Sequence, residues 1–365
     1  MTELYYNSEP VFRVGGQPVG LTRDAIRVEV TETTEGLKTL SLWLLAQGPQ
    51  AGAAQADLLY LVGQTLDFGK TIEVAIGSGS DARTIFKGDV SAIEADLVEG
   101  QDPEVRLFAE DKLMRLRMSR RCRTYQNKSD ADVARDIANL HGLRPEVAAD
   151  GPTYDYVQQW NQSDLAFLRE RACLIQAEVF VRDDILYFQT RGNRRATALT
   201  LVHGESLISV QLRADLAHQR SKAAVSGYDA QARDRINAEA GPSEIKAEIA
   251  SGRTGQEILK TAFGFDESKG EGVTLRVRQA PLKGGEADAW ARAETLRRAR
   301  SFVSVVGMTN GSPDLEVGSP IALARVGRPF NGDGYYTTRV RHTWDRATGH
   351  RTHFEAERAT LSEDS

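Results

Sequence analysis

The feature that most constrains this chain is a weak copy of itself. Leu66-Asp67-Phe68-Gly69-Lys70-Thr71-Ile72-Glu73-Val74 aligns without a gap on Leu315-Glu316-Val317-Gly318-Ser319-Pro320-Ile321-Ala322-Leu323, a shift of 249 that carries Gly69 onto Gly318. Further on, Leu107-Phe108-Ala109-Glu110-Asp111 faces Phe354-Glu355-Ala356-Glu357-Arg358 at a shift of 247. Two matches in nearly one register describe a duplicated unit: a glycine turn leading into a strand, then two more antiparallel strands, made twice. At 365 residues the chain has room for two or three domains, each large enough for a core.

The pattern along the chain places the copies. From Val11 to about Asp111 it alternates with period two, as in Arg27–Thr31, Thr71–Ile76 and Glu104–Phe108, which predicts a first β-barrel-like domain over 1–111. The stretch Gln47–Ala56 is polar and alanine-rich, and Asp57–Val62 fits a short helix or a strand. Over 112–198 the period moves toward 3.6, which predicts an α/β insert. Ser129 caps a helix carrying Val133, Ile137 and Leu140 on one face and ending at Gly142. A second helix starts at Ser163, has Asp164 in its first turn and buries Leu165, Leu168 and Ala172. A hairpin through Asp183-Asp184 follows.

Strands return over 199–228 and again over 302–365, so the second β-barrel-like domain is discontinuous. Tyr336, Thr338, Val340, His342 and Trp344 read as one face of its long strand. The segment 229–301 between the two parts is a polar insert, with a helix expected at about 286–300 and Ala289, Ala293 and Leu296 on one side of it. Its first part, 229–285, reads as mobile or ordered by a partner. The fold class is therefore α+β, mainly β.

Composition narrows the function. With 46 basic and 51 acidic side chains the net charge is −5, which disfavours a dedicated nucleic-acid binder. No apolar run approaches 18 residues, so no membrane insertion is expected. Met1–Pro10 lacks the basic start of a secretory signal. Cys122 and Cys173 read as buried small hydrophobes, not a disulfide framework or zinc quartet.

No catalytic, cofactor-binding or metal-ligating residue is expected. His141, His203, His218, His342, His350 and His353 show no HExxH spacing, and His350 with His353 lies in a hairpin without a nearby cysteine. Gly77-Ser78-Gly79-Ser80 lacks the Lys-Ser/Thr of a phosphate loop, and its serines lack a GxSxG context. Asp183 with Asp184, or Glu170 beside Arg169 and Arg171, are the carboxylates nearest to a hydrolase pair, and their default role is solvated or ion-paired. The cluster Arg115, Arg117, Arg120, Arg121 and Arg123 reads as an exposed strand face, or as an ion-pairing surface between protomers or toward a neighbouring protein of the assembly. Trp160, Trp290, Trp344, Tyr335 and Tyr336 read as core and not as a ligand platform, with Trp344 and Tyr336 in the barrel core or a subunit seam. Gly69, Gly88, Gly318 and Gly334 read as turn glycines.

Several stretches together resemble the phage late control protein D family, the baseplate hub proteins of contractile tails. They are Ile85–Glu94, Glu110–Arg117, Arg123–Asn127, the helix running to Gly142-Leu143, Gln159–Ala172, and Gly334-Tyr335-Tyr336 to His342. The resemblance covers most of the chain except 229–285. It implies a homotrimer whose two β-domains per chain form a pseudo-sixfold ring, with a tail tube protein above, a trimeric spike protein below, and other baseplate proteins around it. It also implies no cofactor, no sequence-specific nucleic acid, and a place in a virion tail or an extracellular contractile particle assembled in the bacterial cytoplasm. Because the sequence ends shortly after its last strand, a separate spike is expected. A peptidoglycan hydrolase or wall-binding component acting through the insert, and a spike-type secretion carrier, are the alternatives.

Overall fold

The computed structural model describes residues 8–47, 58–61, 63, 65–77, 82–264, 273–276 and 281–362. The stretch 48–57, most of the glycine-serine turn at 77–80 and the first seven residues lie outside them, whereas 58–61 form a turn and not a helix or strand.

Both predicted β-domains are present, and they have one topology. In the first, neighbouring strands run Ala25–Thr33, Thr39–Leu45, Glu104–Glu110, Arg83–Asp96, Thr71–Ile76, Pro10–Val14. In the second they run Leu207–Ala214, Val303–Asn310, Gly349–Arg358, Gly332–Asp345, Pro320–Ala324, Leu199–Val202. One pairing differs: Pro10–Val14 lies antiparallel to its neighbour and Leu199–Val202 parallel.

The irregularities repeat as well. A bulge between Ala25 and Arg27 recurs between Leu207 and Ser209, and one between Val90 and Ala92 recurs between Thr337 and Arg339. Gly69 and Gly318 both have positive φ, +74° and +92°, where a Cβ is strained. Their N–H groups donate to Val90 and Thr337 carbonyls, each at 2.9 Å. Bulges and left-handed turns are specific devices, so their recurrence in one register marks the repeat as structural.

The domains merge into one 13-stranded sheet. Ala25–Thr33 of the first pairs antiparallel with Gly332–Asp345 of the second, from Arg339 opposite Thr33 to Asp345 opposite Arg27. Val28, Val30, Val340 and Trp344 are buried along this seam, and Trp344 joins the first domain's core. Tyr336 and Thr338 do not share the face of Val340, His342 and Trp344. The bulge at 337–339 advances the strand by one residue, so Tyr335 and Thr337 are buried in their place.

The insert holds the two expected helices, Asp130–Leu140 and Asp164–Ile175. Ser129 caps the first in a reciprocal box with Asp132, a contribution of about 1 kcal/mol, and Ser163 caps the second. Leu165, Leu168 and Ala172 are buried as expected, but Leu140, in the last turn, is exposed. Strands Ala177–Arg182 and Ile185–Thr190 form the predicted hairpin, with Asp183 left-handed at its turn.

The region 199–228 divides. Its first two strands join the large sheet, whereas Lys222–Asp229 pairs with Asp234–Ala240 and Val273–Arg276 in a separate small sheet. The described part of 229–285 is therefore not featureless. Besides those strands it carries the helices Pro242–Lys246 and Gly255–Phe263, too short for a periodic signal. The helix Gly284–Arg300 buries Ala287, Trp290, Ala291 and Ala293, while Ala289 and Leu296 are only partly covered. Val225, Ile236 and Trp290 share one core with the insert's Leu165, Leu168 and Phe188.

Candidate functional site: a buried ionic joint

A buried polar assembly lies where the insert meets both β-domains. Arg194 follows the short turn Arg191–Asn193 after the insert's last strand, and its side chain is 0% exposed. Its guanidinium reaches Glu32 of the first β-domain at 2.7 Å and Glu178 of the insert at 2.9 Å, and stacks 3.9 Å from the Phe180 ring centre. Lys38 closes on the other Glu32 oxygen at 2.8 Å.

The second β-domain enters through Tyr336 and Glu357. The Tyr336 hydroxyl donates to Glu178 at 2.8 Å, and Arg191 bridges Glu178 at 3.3 Å to Glu357 while lying over the Tyr336 ring. A Cβ at Gly318 would sit 2.7 Å from Arg194 Cδ, so the repeated turn glycine also makes room for this arginine.

Burial works against the Arg194 and Glu32 charges, and their partners outweigh it. Burial pulls the Arg194 guanidinium down, but Glu32 and Glu178 hold its pKa above the usual arginine value. Burial likewise opposes Glu32, which Lys38 and Arg194 keep below the usual carboxylate range. Burial, then the adjacent Glu178 charge, raises the Tyr336 hydroxyl. Such a network fixes three parts of the chain in one arrangement, since removing one partner of a buried pair costs about 3–5 kcal/mol.

Of this group, sequence reading weighed only Tyr336, as core or subunit seam. The available signal was Glu32, which continues the Val28, Val30 alternation onto the buried face. Arg194 sits in a polar run, Arg191-Gly192-Asn193-Arg194-Arg195, without any period.

The residues that reading did weigh fall elsewhere. Asp183 and Asp184 bind Lys87, at 3.0 Å, and Lys112, so the hairpin turn is tied to the first β-domain. Glu170 accepts from Gln162 at 2.6 Å, while Arg169 donates to the Glu35 carbonyl and Arg171 pairs with buried Asp130. Arg115 and Arg117 lie on the short helix Leu113–Arg117 and pair with Asp89 and Glu110, and Arg121 pairs with buried Asp164, so the cluster is not one strand face. His350 is buried beside His342, with ring nitrogens 3.3 Å apart, while His353 points to the opposite face. Among the described residues no group of three or more His, Cys, Asp or Glu side chains is arranged for a metal.

Trp290, Trp344 and Tyr335 are buried, but Trp160 is 75% exposed. It lies beyond the core on the two-stranded ribbon Arg120–Ser129 and Thr153–Ser163, opposite Cys122. Cys122 and Cys173 are both exposed, because the ribbon and the second insert helix turn them outward. Gly88 is no turn residue: it lies mid-strand, where a Cβ would meet the Glu110 carbonyl oxygen at 2.3 Å.

A family model described as the Alg8 N-terminal domain matches residues 13–345, which contain both β-domain sheets up to the last hairpin. The chain belongs to that family. No curated protein sequence matches it. Among solved structures, the 43 kDa tail protein of prophage MuSo2 from Shewanella oneidensis superposes with a TM-score of 0.64 at 14% identity, over 96% of this chain and 98% of that one. A tail protein from Neisseria meningitidis MC58 gives 0.65 at 12%, over 96% and 97%. The E. coli c3393 protein, described as a type VI secretion system component similar to T4 tail proteins gp27 and gp5, gives 0.59 at 12%, over 97% and 79%. This Alg8 N-terminal domain thus has the fold of phage tail proteins, and its ionic joint lies where that fold brings insert and both β-domains together.

Proposed function

We propose that the chain is a structural hub of a contractile tail or injection particle. Three copies form a ring with six similar β-domains, which joins a hexameric tail tube to a trimeric spike and docks other baseplate proteins. The observation that carries this reading is the duplication itself. Two β-domains with the same strand order, bulges and glycine turns let three chains offer six near-equivalent surfaces. The ionic joint suits a part that transmits force, because it locks the insert to both ring domains. The resemblance to late control protein D proteins and the likeness to tail proteins support the same role, in a virion or an extracellular particle and without catalysis.

Native mass spectrometry tests it. A species of three chains, and rings with six lobes by electron microscopy, are expected. A single-chain mass at every concentration, with or without tube and spike proteins, overturns the reading.

A further inference from the structure

The seam inside the chain has a counterpart that the single chain leaves open. At the seam, Ala25–Thr33 pairs with the second half of Gly332–Asp345. The repeat register carries these onto Leu207–Ala214 and the second half of Arg83–Asp96. Beyond a single bridge from Leu207 to His203, Leu207–Ala214 pairs on one side only, and Thr71–Ile76 covers Arg83–Asp96 only as far as Asp89, so among the described residues neither edge has a strand partner.

We infer that these two edges pair with each other between neighbouring copies of the chain, antiparallel and in the register of the internal seam. This rests on the hub reading and names its contact. Transferring the seam pairs puts Ile93 opposite Ala214, Ala95 opposite Leu212 and Leu97 opposite Val210 on the core side. Every one of these six is apolar. Their seam counterparts Val28, Val30, Glu32, Val340, His342 and Trp344 are all buried, while Leu97 is 62% exposed and Ala95 and Ala214 are open to solvent.

The other face carries charge. Glu94 falls opposite Arg213, with side chains 59% and 72% exposed, Glu94 only 3.9 Å from Arg106 and Arg213 bound to its neighbour Asp215. Opposite charges directly across a strand pair are favourable. The strand also stops at Asp96, whereas its counterpart runs on to the position equivalent to Val98, where the seam strand supports it. An open edge of alternating apolar residues is a template for another chain. The two edges differ, so the contact is head-to-tail and generates a ring or a filament, not a twofold dimer.

Disulfide trapping in the full chain tests the register, with Cys122 and Cys173 replaced by serine. Facing residues in such a pair have Cα atoms about 4.5–5.5 Å apart, within disulfide reach. Ala95→Cys chains mixed with Leu212→Cys chains are expected to cross-link on oxidation, neither variant to cross-link alone, and the double variant to give a ladder in steps of one chain mass. Ala95→Cys with Arg213→Cys, slipped by one residue onto opposite faces, is expected to stay unlinked. Glu94→Arg is expected to lower the multi-chain fraction at least severalfold, and adding Arg213→Glu to restore it. A multi-chain particle without the 95–212 cross-link, or Ala95→Cys linking to itself, overturns this contact and leaves the hub reading standing. A single-chain mass throughout overturns both.

Discussion

The two β-domains share six strand positions yet fill their interiors differently. At three equivalent core positions the first has Leu44, Val90 and Val105 where the second has Thr309, Thr337 and Thr352, all buried. The threonines find partners inside: Thr337 donates to the Ser319 carbonyl at 2.8 Å, and Thr352 accepts from the Ser312 amide at 3.0 Å. A second difference is a redistribution of volume. Leu42 faces Leu107 in the first domain, and Gly307 faces Phe354 in the second. A Cβ on Gly307 would stand 2.5 Å from the Phe354 ring. Turns and bulges thus define the shared architecture, and each core needs only to fill it and satisfy its polar atoms.

Exchanging the facing pair is the sharpest way to break this comparison. Leu42→Gly in the first domain removes a buried side chain and adds backbone freedom, a loss of about 5 kcal/mol. Leu107→Phe added to it recreates the second domain's pair and is expected to recover at least half, read by denaturant unfolding and by hydrogen exchange in Thr39–Leu45. If the double variant is no better than the single one, the two cores are not interchangeable.

The arginine pairs give the next effect. Equivalent glutamates, Glu110 and Glu357, each hold an arginine, but Arg117 has a 45% exposed side chain and Arg191 belongs to the buried joint with Arg194. Arg194→Met leaves Glu32 and Glu178 buried beside a lost cation, an expected cost of about 4 kcal/mol. Arg117→Met is expected to cost under about 1 kcal/mol. Equal losses in a side-by-side urea titration would contradict the ranking.

How much of this was legible depends on whether a residue's role is local. The glycine turns at Gly69 and Gly318, the capped helices and the hairpin at Asp183 follow from short-range chemistry and stand out in the sequence. Glu32 could have been found, since it continues the Val28, Val30 alternation onto the buried face. Arg194 could not, because its place depends on Glu32 and on the room left by Gly318, both more than a hundred residues away. The bulge at 337–339 was equally hidden, since one extra residue reverses a face without changing composition. Trp160 misled because aromaticity predicts burial on average, while the face of a two-stranded ribbon is decided by what lies behind it.

Acid should separate the two domains last and least. Burial, then the nearby His350 and Lys38, holds His342 well below its usual value, and burial, then Arg351, lowers His350 to about 4. The first domain carries Ala95 and Pro103 at these positions. In the unfolded chain a histidine takes up its proton near 6.5. Between 6.5 and 4 the unfolded state therefore binds more protons, so the stability contributed by neutral His350 is whole above 6.5 and lost as pH falls toward 4, about 3 kcal/mol. Asp111, raised to about 7 mainly by burial, titrates in the same window with the opposite sign. The informative quantity is thus the difference between the wild type and His350→Gln, measured at pH 7 and pH 4.5. The wild type is expected to lose more stability than the variant, with the extra exchange confined to Val303–Asn310 and Gly349–Arg358. An equal loss in both proteins would mean that His350 is already protonated, or that its burial is incomplete, in the folded second domain.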